Sequence, residues 1–438
     1  TTYEADVAIQ GEQIAAIGRG LRGQRVIDAS GKLVTPGAVD PHVHLQYPLP
    51  GGIRSADDFF TGTRAAAFGG TTTVIDFVEP GAAQTMVAGL ADRRALADGQ
   101  VAVDYGLHMT IGPHEIAKLD QVPEAYAAGC ASFKLYMAYG MRLTDGELLQ
   151  ALQAVHGVNG LPVVHAENWD VITTLIAQNR AAGRTQPRWH PRSRPPELEA
   201  EAVGRVIDIA SYVGTRVHIF HVSCGAVVER LAAARQRGVP VTGETCPQYL
   251  FLDDRMFERP GVDGALPVCA PPIRTPADQQ RLWQALAEDS LSLVTTDHCP
   301  FTRAEKGAGL GDFSRIPGGV PSIEARFALL YSYGVRHGRF SASRWVDLCC
   351  TTPARLFGLA HKGHVAVGCD ADLVIFDPQR QLMLSTDALH EQVDWTPYDG
   401  LCVTGWPETT ICRGTPVVLD GEFVGEAGYG RFVGRSFS

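Results

Sequence analysis

The sequence has no Cys-x-x-Cys pair, although it carries ten cysteines, at positions 130, 224, 246, 269, 299, 349, 350, 369, 402 and 412. A structural zinc ribbon or a thioredoxin-type redox pair is therefore not expected. Several of these cysteines, Cys402 and Cys412 among them, lie in strongly apolar stretches. They read as buried free thiols of a chain kept in a reducing, cytoplasmic compartment. Positive charge is also in short supply. Lys and Arg number 38 against 48 Asp and Glu, for a net charge of -10. No basic stripe is present to displace counterions, so nucleic acid is not expected as a partner. No apolar run reaches the length of a membrane span, and no signal or transit peptide pattern is visible. Low-complexity tails and repeats are lacking as well. The first residue is Thr1 rather than Met, so part of the N-terminal segment is expected to lie upstream of this sequence.

What is present is ordinary for a globular protein, with 45% hydrophobic and 20% charged residues. The two chain ends read as short strands: Asp6–Ile9, Ile14–Ile17 and Arg25–Asp28 at the start, then Asp372–Phe376, Thr409–Cys412 and Pro416–Leu419. Neither end is long enough for a stable sheet of its own. We therefore expect a single small β-sandwich domain built from both ends, residues 1–36 and 365–438. Between them, residues 37–364 alternate apolar runs with amphipathic stretches, as repeated βα units do. Eight candidate strands fall at Thr35–His44, Thr71–Phe77, Val103–Thr110, Ala131–Met137, Pro162–His165, Arg216–His221, Pro240–Thr245 and Leu291–Asp297. Helical spacing occupies Ala56–Phe68, Ala91–Ala97, Asp145–Val155, Glu197–Val213, Gly225–Arg237 and Pro276–Ala287. The expected class is α/β, a TIM (β/α)8 barrel plus the small β domain.

A barrel of this kind places its chemistry at the carboxyl ends of its strands. His42 and His44 end the first strand, Lys134 lies in the fourth, His165 ends the fifth, His221 the sixth and Asp297 the eighth. Side chains two apart on a strand share a face, so His42 and His44 both point to the barrel interior. Alone, His-x-His is weak. With three more possible ligands on separate strand ends it indicates a metal site, and imidazole with carboxylate suits zinc. Lys134 cannot bind a metal as an ammonium. It is either a buried lysine paired with a carboxylate or a lysine carboxylated by carbon dioxide, whose carbamate could bridge two cations.

The segments Pro-His-Val-His-Leu-Gln-Tyr-Pro, Ser-Phe-Lys-Leu-Tyr-Met-Ala-Tyr, Val-His-Ala-Glu-Asn, His-Val-Ser, Gly-Glu-Thr-Cys-Pro-Gln-Tyr-Leu and Asp-His-Cys-Pro-Phe resemble the dihydropyrimidinase and hydantoinase family of cyclic amidohydrolases. Phe313–Ile316 and Gly368–Phe376 fit the same pattern, so the resemblance spans nearly the whole chain. Thr1 falls part-way into the family's N-terminal segment, which implies that one or two strands of the small domain are absent from this sequence. The resemblance implies that His42, His44 and Asp297 hold one divalent ion, His165 and His221 a second, and N6-carboxylated Lys134 bridges both. A hydroxide between the metals would be the nucleophile, Asp297 would shuttle its proton to the leaving nitrogen, and Tyr139 would stabilise the oxyanion. It further implies a homotetramer and a small cyclic amide as substrate, either a dihydropyrimidine or a 5-substituted hydantoin, opened to an N-carbamoyl amino acid.

Two positions depart from the family. Ala270 precedes Pro-Pro-Ile-Arg where serine is usual, and Gly318 follows Arg-Ile-Pro where asparagine is usual. Both stay substrate-binding positions if the contacts there are made by backbone groups. Tyr47, Leu49 and Tyr136 are candidate walls for the ring substituent, with ordinary packing as the alternative. Allantoinase is a rival reading. Dihydroorotase is less so, because Gln46 stands where an arginine would hold its substrate's carboxylate. A non-catalytic scaffold relative is disfavoured because all six ligand positions are filled. Gly18–Gly23 matches G-x-G-x-x-G but precedes strand-like residues, which excludes a nucleotide site. The Arg- and Pro-rich stretch Arg188–Pro195 is expected to loop over the site or contact a partner subunit.

Overall fold

The computed structural model describes residues 2–49 and 51–437. Thr1 and Ser438, the outermost residues of the two end segments, lie outside the described residues. Eight parallel strands pair in chain order: Ala38–Asp40, Thr71–Val78, Asp104–Ile111, Ser132–Tyr136, Leu161–His165, Val217–Ile219, Val241–Thr245 and Leu293–Val294. Their side chains are buried almost throughout, as expected of a parallel sheet covered by helices. The first and last strands also approach each other. Val43 and His298 form a parallel bridge. Thr296 Oγ1 donates to Asp40 Oδ2 at 2.6 Å, and Arg326 Nη1 donates to the carbonyls of both Val39 and Val294.

The connecting helices start and stop where local chemistry dictates. Thr144 caps Asp145–Gly157 in a reciprocal box with Glu147, satisfying two backbone donors at once. Gly214 ends the long helix Pro196–Val213 with φ of 77°, a left-handed conformation that suits glycine. The helix Trp169–Ala181 was not anticipated. Its Val-Ile-Thr-Thr run is β-branched, and few of its residues are buried, so the apolar periodicity is faint.

A separate antiparallel sheet has five strands in the order Glu422–Phe423, Thr415–Leu419, Cys402–Cys412, Leu373–Met383 and Leu33–Pro36. Thr35 and Pro36 thus leave the first predicted strand, Thr35–His44, and with Leu33 and Val34 pair with Leu373–Phe376 instead. Gly37 separates the two uses of that segment. Asp6–Gln10 and Gln13–Gly18 form a two-stranded hairpin. The strand expected at Arg25–Asp28 does not form. Ile27 packs against Ile14, Leu373 and Ile411, but its backbone pairs with no strand. No helix follows Gly18–Gly23, so this stretch lacks a βαβ setting. All ten cysteines are free. Cys402 corrects the burial expectation, since it opens its strand and is exposed.

Three layers meet at one buried ion cluster. Lys362 Nζ lies 2.8 Å from Asp104 of the third parallel strand and 2.6 Å from Asp372, the residue before the antiparallel strand Leu373–Met383. Arg413 pairs with the same Asp104 at 3.0 Å and with Glu12 of the hairpin at 2.6 Å. The C-terminal segment returns to the parallel sheet, where Phe432 bridges to Tyr105 and the buried Arg435 donates to Ser132.

Candidate active site

The side chains singled out at the strand ends converge. His42 Nε2 and His44 Nε2 lie 3.1 and 3.2 Å from the same oxygen of Asp297. The ring of His221 is 5.4 Å from that of His42 and 4.6 Å from that of His165. His42, His221 and Asp297 offer ligand atoms all within 4.8 Å of one another. His42 and His44 lie just beyond the end of their strand rather than within it. They share a face because the intervening Val43 makes a strand-like bridge.

The backbone at these ends is unusual. Tyr139, His221 and Asp297 have φ of 67°, 40° and 50°, in the left-handed region that side chains other than glycine rarely adopt. Such strain persists only where the surroundings over-determine it, and it concentrates at functional sites. Turning out of the strand at these points aims His221 and Asp297 into the common centre.

The donor set fits divalent cations. Nε2 of His42, Nδ1 of His44 and Nδ1 of His221 are buried without a hydrogen-bond partner. Leaving three imidazole nitrogens unpaired is costly, and a coordinated cation would satisfy those that face it. Electrostatics agree. Burial works against protonating His42, but Asp297 and Glu244 outweigh it and raise its pKa. Burial also works against ionising Asp297, yet His42 and His44 hold its carboxyl well below the usual range. Burial lowers the pKa of His44, His165 and His221, which favours the neutral imidazoles that can coordinate a cation beside Asp297. The other group of possible ligands, Asp104, Asp372 and Cys412, already contains Lys362 and Arg413 as its cations.

Lys134 is 1% exposed, and among the described residues no carboxylate pairs with its Nζ. The ammonium–carboxylate alternative therefore has no partner. Nζ instead faces the rings of Phe220, Tyr136 and Phe77 at 4.2, 4.7 and 5.2 Å. Burial in this box lowers its pKa to about 7, against the pull of Asp297, Glu244 and Glu79.

The Tyr139 ring packs at a tilt 5.2 Å from that of His165, and burial raises its phenol's pKa. Tyr47 lies 5.0 Å from the His44 ring, and Tyr136 lies 6.4 Å from Tyr139. Leu49 is two residues beyond Tyr47, in a loop closed by its own amide on Ile53 O. Ala270 and Gly318 sit on adjoining loops, tied by the Gly319 amide to Val268 O at 3.0 Å. A Cβ at Gly318 would meet only Cys269 Cα, at 3.9 Å, so the site has room for the side chain it lacks.

A model of the amidohydrolase family matches residues 33–417. The chain belongs to the amidohydrolase family. Its curated relatives include the D-hydantoinase of Geobacillus stearothermophilus, 44% identical over 441 residues and covering 99% of this chain and 93% of that protein. The D-phenylhydantoinase of Escherichia coli O1:K1 / APEC is 43% identical over 413 residues, with 93% and 89% covered. Among solved structures, D-hydantoinase from Bacillus sp. AR9 superposes with a TM-score of 0.96 at 43% identity, covering 100% of this chain and 96% of that one. L-hydantoinase (dihydropyrimidinase) from Arthrobacter aurescens gives 0.92 at 32% identity, with 99% and 96% covered. Within the amidohydrolases, the chain falls in the hydantoinase and dihydropyrimidinase group that its motifs resemble.

This amidohydrolase carries polar partners behind its candidate ligands that the sequence reading did not assign. Glu244 Oε1 lies 2.6 Å from His42 Nδ1, and its Oε2 lies 3.0 Å from His218 Nε2. Glu167 Oε2 lies 2.8 Å from His165 Nε2 and accepts from Arg194 Nη1 at 2.5 Å. Carboxylates placed this way fix the tautomer and ring orientation of a ligating histidine. Both acids lie within motifs that carry the family resemblance, Gly-Glu-Thr-Cys and Val-His-Ala-Glu-Asn. Glu167 stands two residues after the strand-end His165, and that was its signal, whereas nothing local ties Glu244 to a histidine. Arg194 also brings the Arg188–Pro195 stretch to the site, since its guanidinium lies 5.4 Å from the Tyr139 ring.

Proposed function

We propose that this amidohydrolase opens a cyclic amide, a dihydropyrimidine or a 5-substituted hydantoin, to an N-carbamoyl amino acid. The observation that carries this reading is the convergence of His42 and His44 on one oxygen of Asp297, beside a Lys134 with no carboxylate partner among the described residues. His42, His44 and Asp297 would hold one divalent cation, and His165 and His221 the other, with zinc the expected metal. When bound, the cations supply a hydroxide near neutral pH and polarise the ring carbonyl.

The chain's own groups do the rest. Carbamate formation needs the neutral amine of Lys134, whose lone pair bonds the carbon of carbon dioxide as a proton leaves. The burial that disfavours its ammonium supports that step. The resulting carboxylate would bridge both cations. Asp297 takes up the proton of the attacking oxygen and returns it to the departing ring nitrogen, so that ring C–N cleavage leaves a carboxylate and a ureido group. Tyr139 donates its phenolic hydrogen to the oxyanion of the tetrahedral intermediate. Backbone groups at Ala270 and Gly318 would hold the ring amide, and Tyr47, Leu49 and Tyr136 would enclose its substituent.

The same reading takes the parallel sheet as a closed (β/α)8 barrel, supported by the Val43–His298 bridge and by Arg326 spanning its first and last strands. It takes the hairpin and the five-stranded sheet, with their shared core around Ile14 and Ile411, as a β-sandwich from both chain ends. A cytoplasmic homotetramer completes it, tested by gel filtration, where a stable monomer rejects the tetramer. The deciding experiment is Lys134→Ala with metal analysis, alongside an intact mass of the native wild type. The variant should lose the second metal and its activity, and the wild type should carry the mass of one carbon dioxide. Activity at the wild-type level in Lys134→Ala rejects the bridging role. Rates on dihydrouracil, hydantoin, phenylhydantoin, allantoin and dihydroorotate then rank the substrates, and a preference for either of the last two rejects this subclass.

A further inference from the structure

Glu79 follows directly on the second parallel strand, Thr71–Val78, at the same carboxyl rim as the candidate metal ligands. No step of the proposed chemistry uses it. It is half-buried, and its Oε1 accepts a 2.5 Å hydrogen bond from the hydroxyl of Tyr47. Its Oε2 has no hydrogen-bond partner among the described residues, and no cation pairs with the carboxylate there. The nearby Arg93 is committed elsewhere, to Leu45 O and Asp76 Oδ1. A carboxylate without an ionic partner in a half-buried position contributes little to the fold and costs desolvation.

Its neighbours say what it faces. Tyr47 packs against His44, one of the imidazoles on Asp297. Tyr136 lies between Lys134 and Tyr139. The wall assigned above to the ring substituent is therefore polar, with two phenols and one free carboxylate oxygen.

We propose that Glu79, buttressed by Tyr47, selects ring substituents that carry a hydrogen-bond donor or a positive charge and disfavours those that carry a carboxylate. This rests on the cyclic-amide reading and names the substrate class within it. A charge-assisted hydrogen bond to Oε2 would reward an ammonium at the end of an alkyl substituent. The same oxygen would repel a carboxylate held at that distance.

The test compares hydantoins bearing aminobutyl, pentyl or carboxyethyl groups by kcat/KM, in the metal-loaded wild type and in Glu79→Gln. The wild type should favour aminobutyl over pentyl, and both over carboxyethyl, by about tenfold each. In Glu79→Gln both ratios should move toward unity at unchanged metal content. A role confined to the fold would scale all three substrates together and leave the ratios alone. Tyr47→Phe gives an independent reading, because loss of the hydroxyl that positions Glu79 should also move both ratios toward unity. Hydrolysis of all three rings with ratios unchanged within twofold in both variants overturns this inference alone. A wild type that hydrolyses none of them overturns the cyclic-amide reading, and this inference with it.

Discussion

Glu244 Oε1 lies 2.6 Å from Nδ1 of His42, and that contact leaves Nε2 as the nitrogen turned toward Asp297. A carboxylate at one ring nitrogen holds the proton there and the lone pair on the other. Glu244 is itself steadied by His218, so its position does not depend on His42 alone. Burial would raise its pKa, but the two histidines overcome that and lower it to about 2. Glu244→Gln preserves shape while removing the charge. Metal affinity should fall by about 10- to 100-fold, the usual cost of losing such a partner. Chelator competition measures it. A variant with wild-type affinity would show that Glu244 merely fills space.

Tyr139 allows a separate test of the oxyanion role. Its left-handed backbone and its packing on His165 hold the phenol at the rim whether or not the hydroxyl is present. Tyr139→Phe should therefore keep its metals and fold. Its kcat should fall by about 10²- to 10³-fold, as for other lost oxyanion donors, with a much smaller change in KM. A drop in KM-linked binding with kcat intact would place Tyr139 in substrate holding instead.

How much of this was readable in advance depends on the distance between cause and consequence along the chain. All eight parallel strands were located, because continuous apolar runs between amphipathic helices are local signals. The histidines, Lys134 and Asp297 followed from one rule about strand ends, and the structure brings them together. The failures came where tertiary partners decide. Thr35 and Pro36 looked continuous with Ala38–Asp40, yet they pair with Val374 and Leu373, more than three hundred residues away. Arg25–Asp28 has strand-like residues but no strand to pair with. Glu244 and Glu79 stand in or beside recognisable segments, but their roles depend on which imidazole or phenol they meet in space.

Glu391 should impose a pH dependence on stability with the reverse of the usual carboxylate sign. It is buried, and burial raises its pKa to about 7, helped by Glu324 and Asp57 and opposed by His298. The folded chain thus keeps a proton that the unfolded chain releases near pH 4.5. Stability from this group is complete below that pH and is lost as pH rises through about 7. Glu391→Gln mimics the protonated form. Denaturation should find it equal to the wild type near the unfolded carboxyl's pKa and more stable at about one unit above neutrality, by at most about 3 kcal/mol. An equal loss of stability at both pH values would mean that the carboxylate is needed in its ionised form.

Lys362 makes the last prediction, and it separates the structural charge cluster from the candidate metal site. Its ammonium is 3% exposed and touches Asp104, Asp372 and, at 3.1 Å, Asp370. Asp104 opens a parallel strand, whereas Asp370 and Asp372 share the segment that leads into Leu373–Met383, so a single cation ties the parallel sheet to the antiparallel one. Burying such a pair adds little net stability over an apolar pair, but deleting one partner strands the other's charge. Lys362→Met would leave Asp104 and Asp372 facing each other with only Arg413 nearby. We expect a loss of about 3–5 kcal/mol in urea denaturation, far more than a surface pair would give. The wild type should hold no metal at Asp104, Asp372 and Cys412, because Lys362 and Arg413 already occupy that charge. Stability within about 1 kcal/mol of the wild type would mean that the two acids are neutral in the fold, and that the cluster owes its cohesion to hydrogen bonds rather than to charge.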